Sequence, residues 1–335
     1  MGTPPQKNIL RIDTGSETIG FENPRSDECQ QSNHPCWEYG SYDNLTSSTA
    51  VYVSIGYQSS ISNHATGVFV NDTIRFGGAD VTDFMFGTWD EVPTISAIPA
   101  PDTGILGLGA TCYTAACDSY PGFIQQVFER GVAGSRAYSV YLGPDEPGAT
   151  GSLILNGIDT AKQAGPVHTL PMTDPASSLS NRSPNWANYT SFTFSNASGP
   201  FVVPADPHFN RGWLDTGNKY FGVDIDTFLY AADYYGFQFT SGESPDHFPV
   251  DCSFRHRNDA SLTVTFAPGV EFEISMDRFV AQLEDGTCGT YLNPYGASFG
   301  VPFLRNLYVV FDMDRAEVQL SRAAYTHDSH IVPIR

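Results

Sequence analysis

Ile9-Leu10-Arg11-Ile12-Asp13-Thr14-Gly15-Ser16 carries a short apolar strand into a tight turn of hydroxyl, glycine and hydroxyl residues, with one carboxylate at the junction. The same construction returns past mid-chain as Gly212-Trp213-Leu214-Asp215-Thr216-Gly217-Asn218. One Asp-Thr-Gly turn alone is a common β-turn composition. Two copies, each led by apolar residues, predict two related halves that each bring an aspartate, Asp13 and Asp215, to a shared centre. A third copy, Asp102-Thr103-Gly104, follows Pro99-Ala100-Pro101 instead of an apolar strand and reads as structural.

A chain of 335 residues exceeds the size at which one hydrophobic core keeps growing, so two lobes are expected. Its 41% hydrophobic residues can fill both cores. Short apolar runs rich in Val, Thr, Tyr and Phe alternate with Gly and Pro turns, which predicts a mostly β fold. The formal charge of −20, with lysine only at Lys7, Lys162 and Lys219, opposes nucleic acid and anionic membrane as partners. An acidic surface sheds self-repulsion as carboxylates protonate, which suits work at acid pH.

The six cysteines fall into two close pairs, Cys29 with Cys36 and Cys112 with Cys117, and a wider pair, Cys252 with Cys288. None stands as Cys-x-x-Cys and the histidines are scattered, so three disulfides are expected, and neither a metal nor a cofactor. Asn-x-Ser/Thr triplets at Asn44, Asn71, Asn181, Asn188 and Asn196 fit a secretory route. The expected location is extracellular, with cell wall and vacuole as alternatives. No apolar run reaches membrane-spanning length. The catalytic strand starts so near Met1 that a signal peptide and any prosegment are expected to be missing from the sequence as given.

Along the chain, Glu22 to Ser48 reads as a polar surface loop closed by the first cysteine pair, and Val51 to Ile55 with Thr66 to Ile74 as a β-hairpin with a polar tip. At this point the sequence resembles the pepsin-like aspartic proteases, closest to the secreted fungal yapsins and candidapepsins. The resemblance is carried by Gly2-Thr3-Pro4-Pro5-Gln6, the hairpin with Tyr57, Gly104-Ile105-Leu106-Gly107-Leu108-Gly109, Gly151 to Asp159, the second Asp-Thr-Gly, and Gly300-Val301-Pro302-Phe303-Leu304 leading to Asp312.

The resemblance implies a bilobal fold with a central cleft and a flap, with lobes at 1–168 and 169–335. In each lobe an apolar-apolar-Gly strand crosses behind the catalytic loop; Ile105-Leu106-Gly107 fits, and Ser298-Phe299-Gly300 is the nearest second match. The stretch from Asp174 to Gly199 is read as exposed and glycosylated. The implied activity is that of an acid-active endopeptidase, a monomer that takes polypeptides in an extended conformation. Thr14 and Thr216 would lock the loops, Gly15 and Gly217 would allow their close approach, Ser16 would donate to Asp13, and Tyr57 would close over substrate.

Four features depart from the family pattern. Gly20 stands where a flap-supporting tryptophan is usual, and Gln58-Ser59-Ser60 replaces the glycines after the flap tyrosine. Asn218 replaces a hydroxyl residue and is followed by Lys219, a cation that either acts on the pair of carboxylates or reaches into solvent. Ser298 replaces an apolar residue. These departures support an alternative: a pepsin-like binding or inhibitory protein with impaired catalysis.

Overall fold

A computed structural model describes residues 1–27, 29–30, 36–58, 66–91, 104–109, 121–173, 185–208, 210–237, 248–257, 259–266, 269–283 and 285–334, with only the backbone of Trp37, Tyr57, Gln58 and Glu91. The architecture is mostly β, as the composition predicts, and the chain packs as two compact units.

The first unit, Met1–Arg136, holds one sheet of six strands: β1 (Leu10–Asp13), β2 (Ile19–Glu22), β3 (Val51–Gln58), β4 (Thr66–Phe76), β5 (Ala79–Glu91) and β6 (Gly104–Gly107), in the order β1-β6-β2-β5-β4-β3. β1 runs parallel to β6 with Asp13 opposite Gly107. β3 and β4 form the antiparallel hairpin read from sequence, with Tyr57 opposite Gly67. Its tip, 59–65, lies outside the described residues. A short helix, α1 (Cys36–Tyr39), starts at the second cysteine of the first pair, and α2 (Phe123–Glu129) buries Phe123, Ile124, Gln126 and Val127.

Glu22 to Ser48 is not a plain surface loop. Tyr42 is fully buried, edge-on to Phe86 and tilted against Phe21, and its hydroxyl donates to the buried Asp72 at 2.6 Å. Ser47 and Thr49 donate to the same carboxylate, so polar residues of this stretch turn inward to satisfy a buried charge.

The second unit comprises Ala137–Asp174 and Pro184–Arg335. Its first strands are β7 (Ala137–Tyr141), β8 (Ser152–Leu155), β9 (Gly157–Asp159) and β10 (Gln163–Pro171). Then follow β11 (Trp186–Asn196), β12 (Gly199–Pro204), β13 (Arg211–Leu214), β14 (Phe221–Gly222), α3 (Ile225–Tyr235) and β15 (Phe248–Pro249). Next come β16 (Ser261–Phe266), β17 (Val270–Ser275), β18 (Val280–Gln282), β19 (Cys288–Thr290), β20 (Leu292–Asn293) and β21 (Ser298–Phe299). The short helix α4 (Val301–Leu304) leads to β22 (Leu307–Asp312), β23 (Glu317–Ala323) and β24 (Ile331–Pro333).

Residues 137–168, assigned by sequence to the first lobe, pair within this unit. β7 lies between β22 and β8, and β10 pairs with β23, so long-range pairing with C-terminal strands outweighs chain proximity. The stretch read as exposed and glycosylated contains β11, in which Tyr189, Phe192 and Phe194 are buried; its sequons mask an inward aromatic series. β24 pairs with β9 and ties the tail to the second unit. Among the described residues no helix is long and apolar enough to cross a membrane.

Two of the expected disulfides are formed, Cys29–Cys36 and Cys252–Cys288. Cys112 and Cys117 lie outside the described residues. Glu22 with Cys29 and Cys36 has the donor types of a metal site, but its two sulfurs are bonded to each other.

Candidate active site

The Asp-Thr-Gly turns at Asp13 and Asp215 each sit where a short strand ends against a parallel neighbour. In the first unit Asp13 closes β1 and is 5% exposed. Its Oδ1 accepts the Gly15 N–H at 2.7 Å and its Oδ2 accepts the Ser16 hydroxyl at 2.5 Å. The Ser16 expectation therefore matches the geometry. Thr14 is fully buried beside it.

The loop is fastened from behind. Leu108 N–H donates to Asp13 O at 2.7 Å, Gly107 N–H to Thr18 O at 2.7 Å, and Gly109 N–H to Ser16 O at 2.8 Å. A Cβ at Gly107 would stand 2.5–2.6 Å from the backbone of Ser16, Glu17 and Thr18, so only glycine allows this approach. Gly20, the position of the missing tryptophan, is buried in β2 between Ile105 of β6 and Gly87 of β5.

The second unit repeats the plan. β13 delivers Asp215 and runs parallel to β21, with Trp213 opposite Ser298 and Leu214 opposite Phe299. Asp215 Oδ1 accepts the Gly217 N–H at 2.8 Å, and the Asp215 N–H donates to Phe299 O at 3.2 Å. Thr216 is buried. Gly300 N–H donates to Tyr220 O at 3.0 Å and Val301 N–H to Asn218 O at 2.8 Å. A Cβ at Gly300 would lie 2.2 Å from the carbonyl oxygens of both Asn218 and Tyr220.

Behind this loop lies an aromatic floor. Phe299 stacks on Phe221 with centroids 4.8 Å apart and contacts Phe192, Phe266 and Phe303. It also presses on β13, where a Cβ at Gly212 would stand 2.1 Å from its ring. Such close packing fixes the Asp215 backbone, because a buried aromatic cluster has few alternative arrangements.

The remaining candidates divide. Asn218 does not support Asp215 through its side chain: Nδ2 donates to Ser298 Oγ at 2.7 Å and Oδ1 accepts the Tyr220 N–H at 2.9 Å. Sequence reading treated Asn218 and Ser298 as separate departures and missed that they are partners; the signal available was that both fall in the second half, at matched places in its loop and strand. Lys219 is exposed, and its ammonium lies 5.0 Å from the centre of the Tyr220 ring. Tyr57 occupies β3 next to Gly56, whose φ of +94° accompanies a register shift between Ile55 and Tyr57. Asp102 lies outside the described residues.

A family model for eukaryotic aspartyl protease matches residues 1–323. Over 353 residues the chain is 28% identical to the probable aspartic-type endopeptidase opsB of Aspergillus oryzae, covering 97% of this chain and 67% of that protein. It is 29% identical over 343 residues to candidapepsin of Candida tropicalis, covering 99% of this chain and 79% of the relative. With secreted aspartic protease 7 of Candida albicans the identity is 26% over 377 residues, covering 100% and 60%.

Proposed function

The chain belongs to the eukaryotic aspartyl protease family, a family of peptide-bond hydrolases, and we propose that it is a secreted, acid-active endopeptidase in which Asp13 and Asp215 act on one water. The observation that carries the reading is the repeated loop. Both aspartates take a backbone N–H from the glycine two residues on, at 2.7 and 2.8 Å, and both loops are pinned by a glycine that no other residue can replace.

Two carboxylates sharing one site hold one proton between them, since ionising both is costly; this is the general property of aspartic proteases. The ionised member takes a proton from water, whose oxygen attacks the peptide carbonyl carbon. The protonated member donates to the carbonyl oxygen, giving a neutral tetrahedral diol. Collapse of the diol returns the proton to the pair and protonates the departing amine nitrogen, without an acyl-enzyme.

In this proposal Thr14 and Thr216 lock the carboxylates coplanar, and Tyr57 closes from the β3–β4 hairpin over an extended polypeptide. In this proposal the sequence halves 1–168 and 169–335 each supply one Asp-Thr-Gly loop. Relatives named as secreted proteases and a close disulfide pair support an extracellular setting. A monomer suffices for this chemistry, since one chain supplies both aspartates.

One observation favours the second reading, a binding or inhibitory homologue: the Asn218 amide is engaged away from Asp215. Cleavage of a denatured protein, followed from about pH 3 to 7 beside Asp13→Asn and Asp215→Asn, tests the choice. Acid-range cleavage lost in each variant is the expected result. A folded, disulfide-bonded parent that cleaves nothing, indistinguishable from its variants, overturns the protease reading.

A further inference from the structure

The two catalytic loops follow one template, and comparing them isolates a pair of side chains. Gly107 N–H donates to Thr18 O in the first unit, as Gly300 N–H does to Tyr220 O in the second. Gly109 N–H donates to Ser16 O, as Val301 N–H does to Asn218 O. Ser16 and Asn218 therefore hold matching places three residues after their aspartates. Ile105 and Ser298 match in turn, each two residues before the crowded glycine.

Ile105 is a buried hydrocarbon and offers no acceptor, and the Ser16 hydroxyl goes to Asp13. Ser298 offers an oxygen, and the Asn218 amide goes to it, while the other end of that amide holds the Tyr220 N–H. Two polar residues that are each anomalous alone satisfy one another. The strand that carries Ser298 also carries Phe299, whose carbonyl accepts the Asp215 N–H.

We infer that Asn218 and Ser298 form a matched positioning pair that braces the second Asp-Thr-Gly loop against β21, in place of the hydroxyl support that Ser16 gives the first aspartate. The inference rests on the reading of Asp215 as a reacting carboxylate. The pair acts on Asp215 through the loop backbone. Without the Ser298 oxygen, a half-buried amide N–H loses its acceptor, and the 218–220 turn keeps its backbone bonds to Gly300 and Val301 but loses its side-chain tie to the strand. A shift of about 1 Å in a reacting group is enough to slow the chemical step by orders of magnitude while leaving substrate binding in place.

The test compares Ser298→Val with Ser298→Thr, which share shape and differ in the hydroxyl, on a peptide that the parent cleaves. Ser298→Val lowers kcat about tenfold with KM within about twofold, and Ser298→Thr keeps most of the parental kcat. Adding Asn218→Ser to Ser298→Val rebuilds the Ser16/Ile105 arrangement and recovers part of the loss. Equal losses for valine and threonine, or a double variant whose loss is the product of the single losses, overturn the pair.

Amide hydrogen exchange at Tyr220, measured in the same variants, needs no activity. Exchange rises about tenfold with Ser298→Val and stays at the parental rate with Ser298→Thr. If the parent cleaves nothing and the exchange still responds to valine alone, the protease reading fails and the brace stands. Exchange that ignores both substitutions removes the brace whatever the activity.

Discussion

Asp72→Asn is the substitution whose cost can be worked most fully from the structure. The Asp72 carboxylate is 2% exposed and takes four donors: Tyr42 and Ser47 hydroxyls on Oδ2, both at 2.6 Å, and Thr49 hydroxyl and Thr73 N–H on Oδ1, at 2.5 and 2.6 Å. Asparagine keeps one acceptor and turns the other into a donor that faces two of these groups. Two charge-assisted bonds at roughly 1.5–3 kcal/mol each are lost, partly offset by hydroxyl reorientation, for a net of about 3 kcal/mol. That corresponds to a fall of about 10 °C in the melting of the first unit.

The charge also gives the cost a pH dependence. Burial pushes the Asp72 carboxyl up, but the Ser47, Thr49 and Tyr42 hydroxyls and the Thr73 N–H outweigh it and hold it below the usual carboxylate range. A group depressed on folding contributes stability above its unfolded value of about 4 and loses it as pH falls through the folded value. The Asp72→Asn penalty, read by urea unfolding, is largest between about pH 5 and 7 and shrinks below about pH 4. A penalty under about 1 kcal/mol at pH 6, or one that does not change on acidification, refutes the reasoning.

Other expectations follow from packing and covalent restraint. Gly300→Ala drives a methyl into two carbonyl oxygens 2.2 Å away, and the loop has to move; a loss of about 100-fold in kcat/KM is expected, and near-parental kinetics contradict the crowding argument. Removing the Cys252–Cys288 bond, which spans 36 residues, costs about 4 kcal/mol by chain entropy, against about 2.5 kcal/mol for Cys29–Cys36, which spans seven. Paired Cys→Ala variants compared by urea unfolding check the order, and a larger cost for the shorter loop reverses it. Phe299→Ala opens the floor beneath Asp215 and costs about 3–5 kcal/mol in the second unit; a loss under 1 kcal/mol means that the cluster does not fix the loop.

The turns at Asp13 and Asp215 were legible because their hydrogen bonding is local. Asp13-Thr14-Gly15-Ser16 makes its own turn and its own hydrogen bonds, whereas Gly107 and Gly300 are required by loops that lie far away in the chain. The pairing of residues 137–168 was not legible, because their partners, β22 and β23, lie more than a hundred residues away and no local pattern names them. The polar Glu22–Ser48 stretch hid its burial for a related reason: Asp72, the charge it serves, arrives from another strand. Asn218 and Ser298 were each visible as a departure, and only three dimensions joined them.

The central claim is that Asp13 and Asp215 serve one site. The most direct measurement is calorimetric titration of the folded chain with a statine-containing peptide, whose hydroxyl mimics the tetrahedral intermediate, beside Asp13→Asn, Asp215→Asn and the double variant. One peptide per chain is expected, with affinity reduced at least about 100-fold in each single variant and little further in the double, because residues that act as a unit are not additive. Two binding events per chain, or single losses that multiply in the double variant, contradict a shared site.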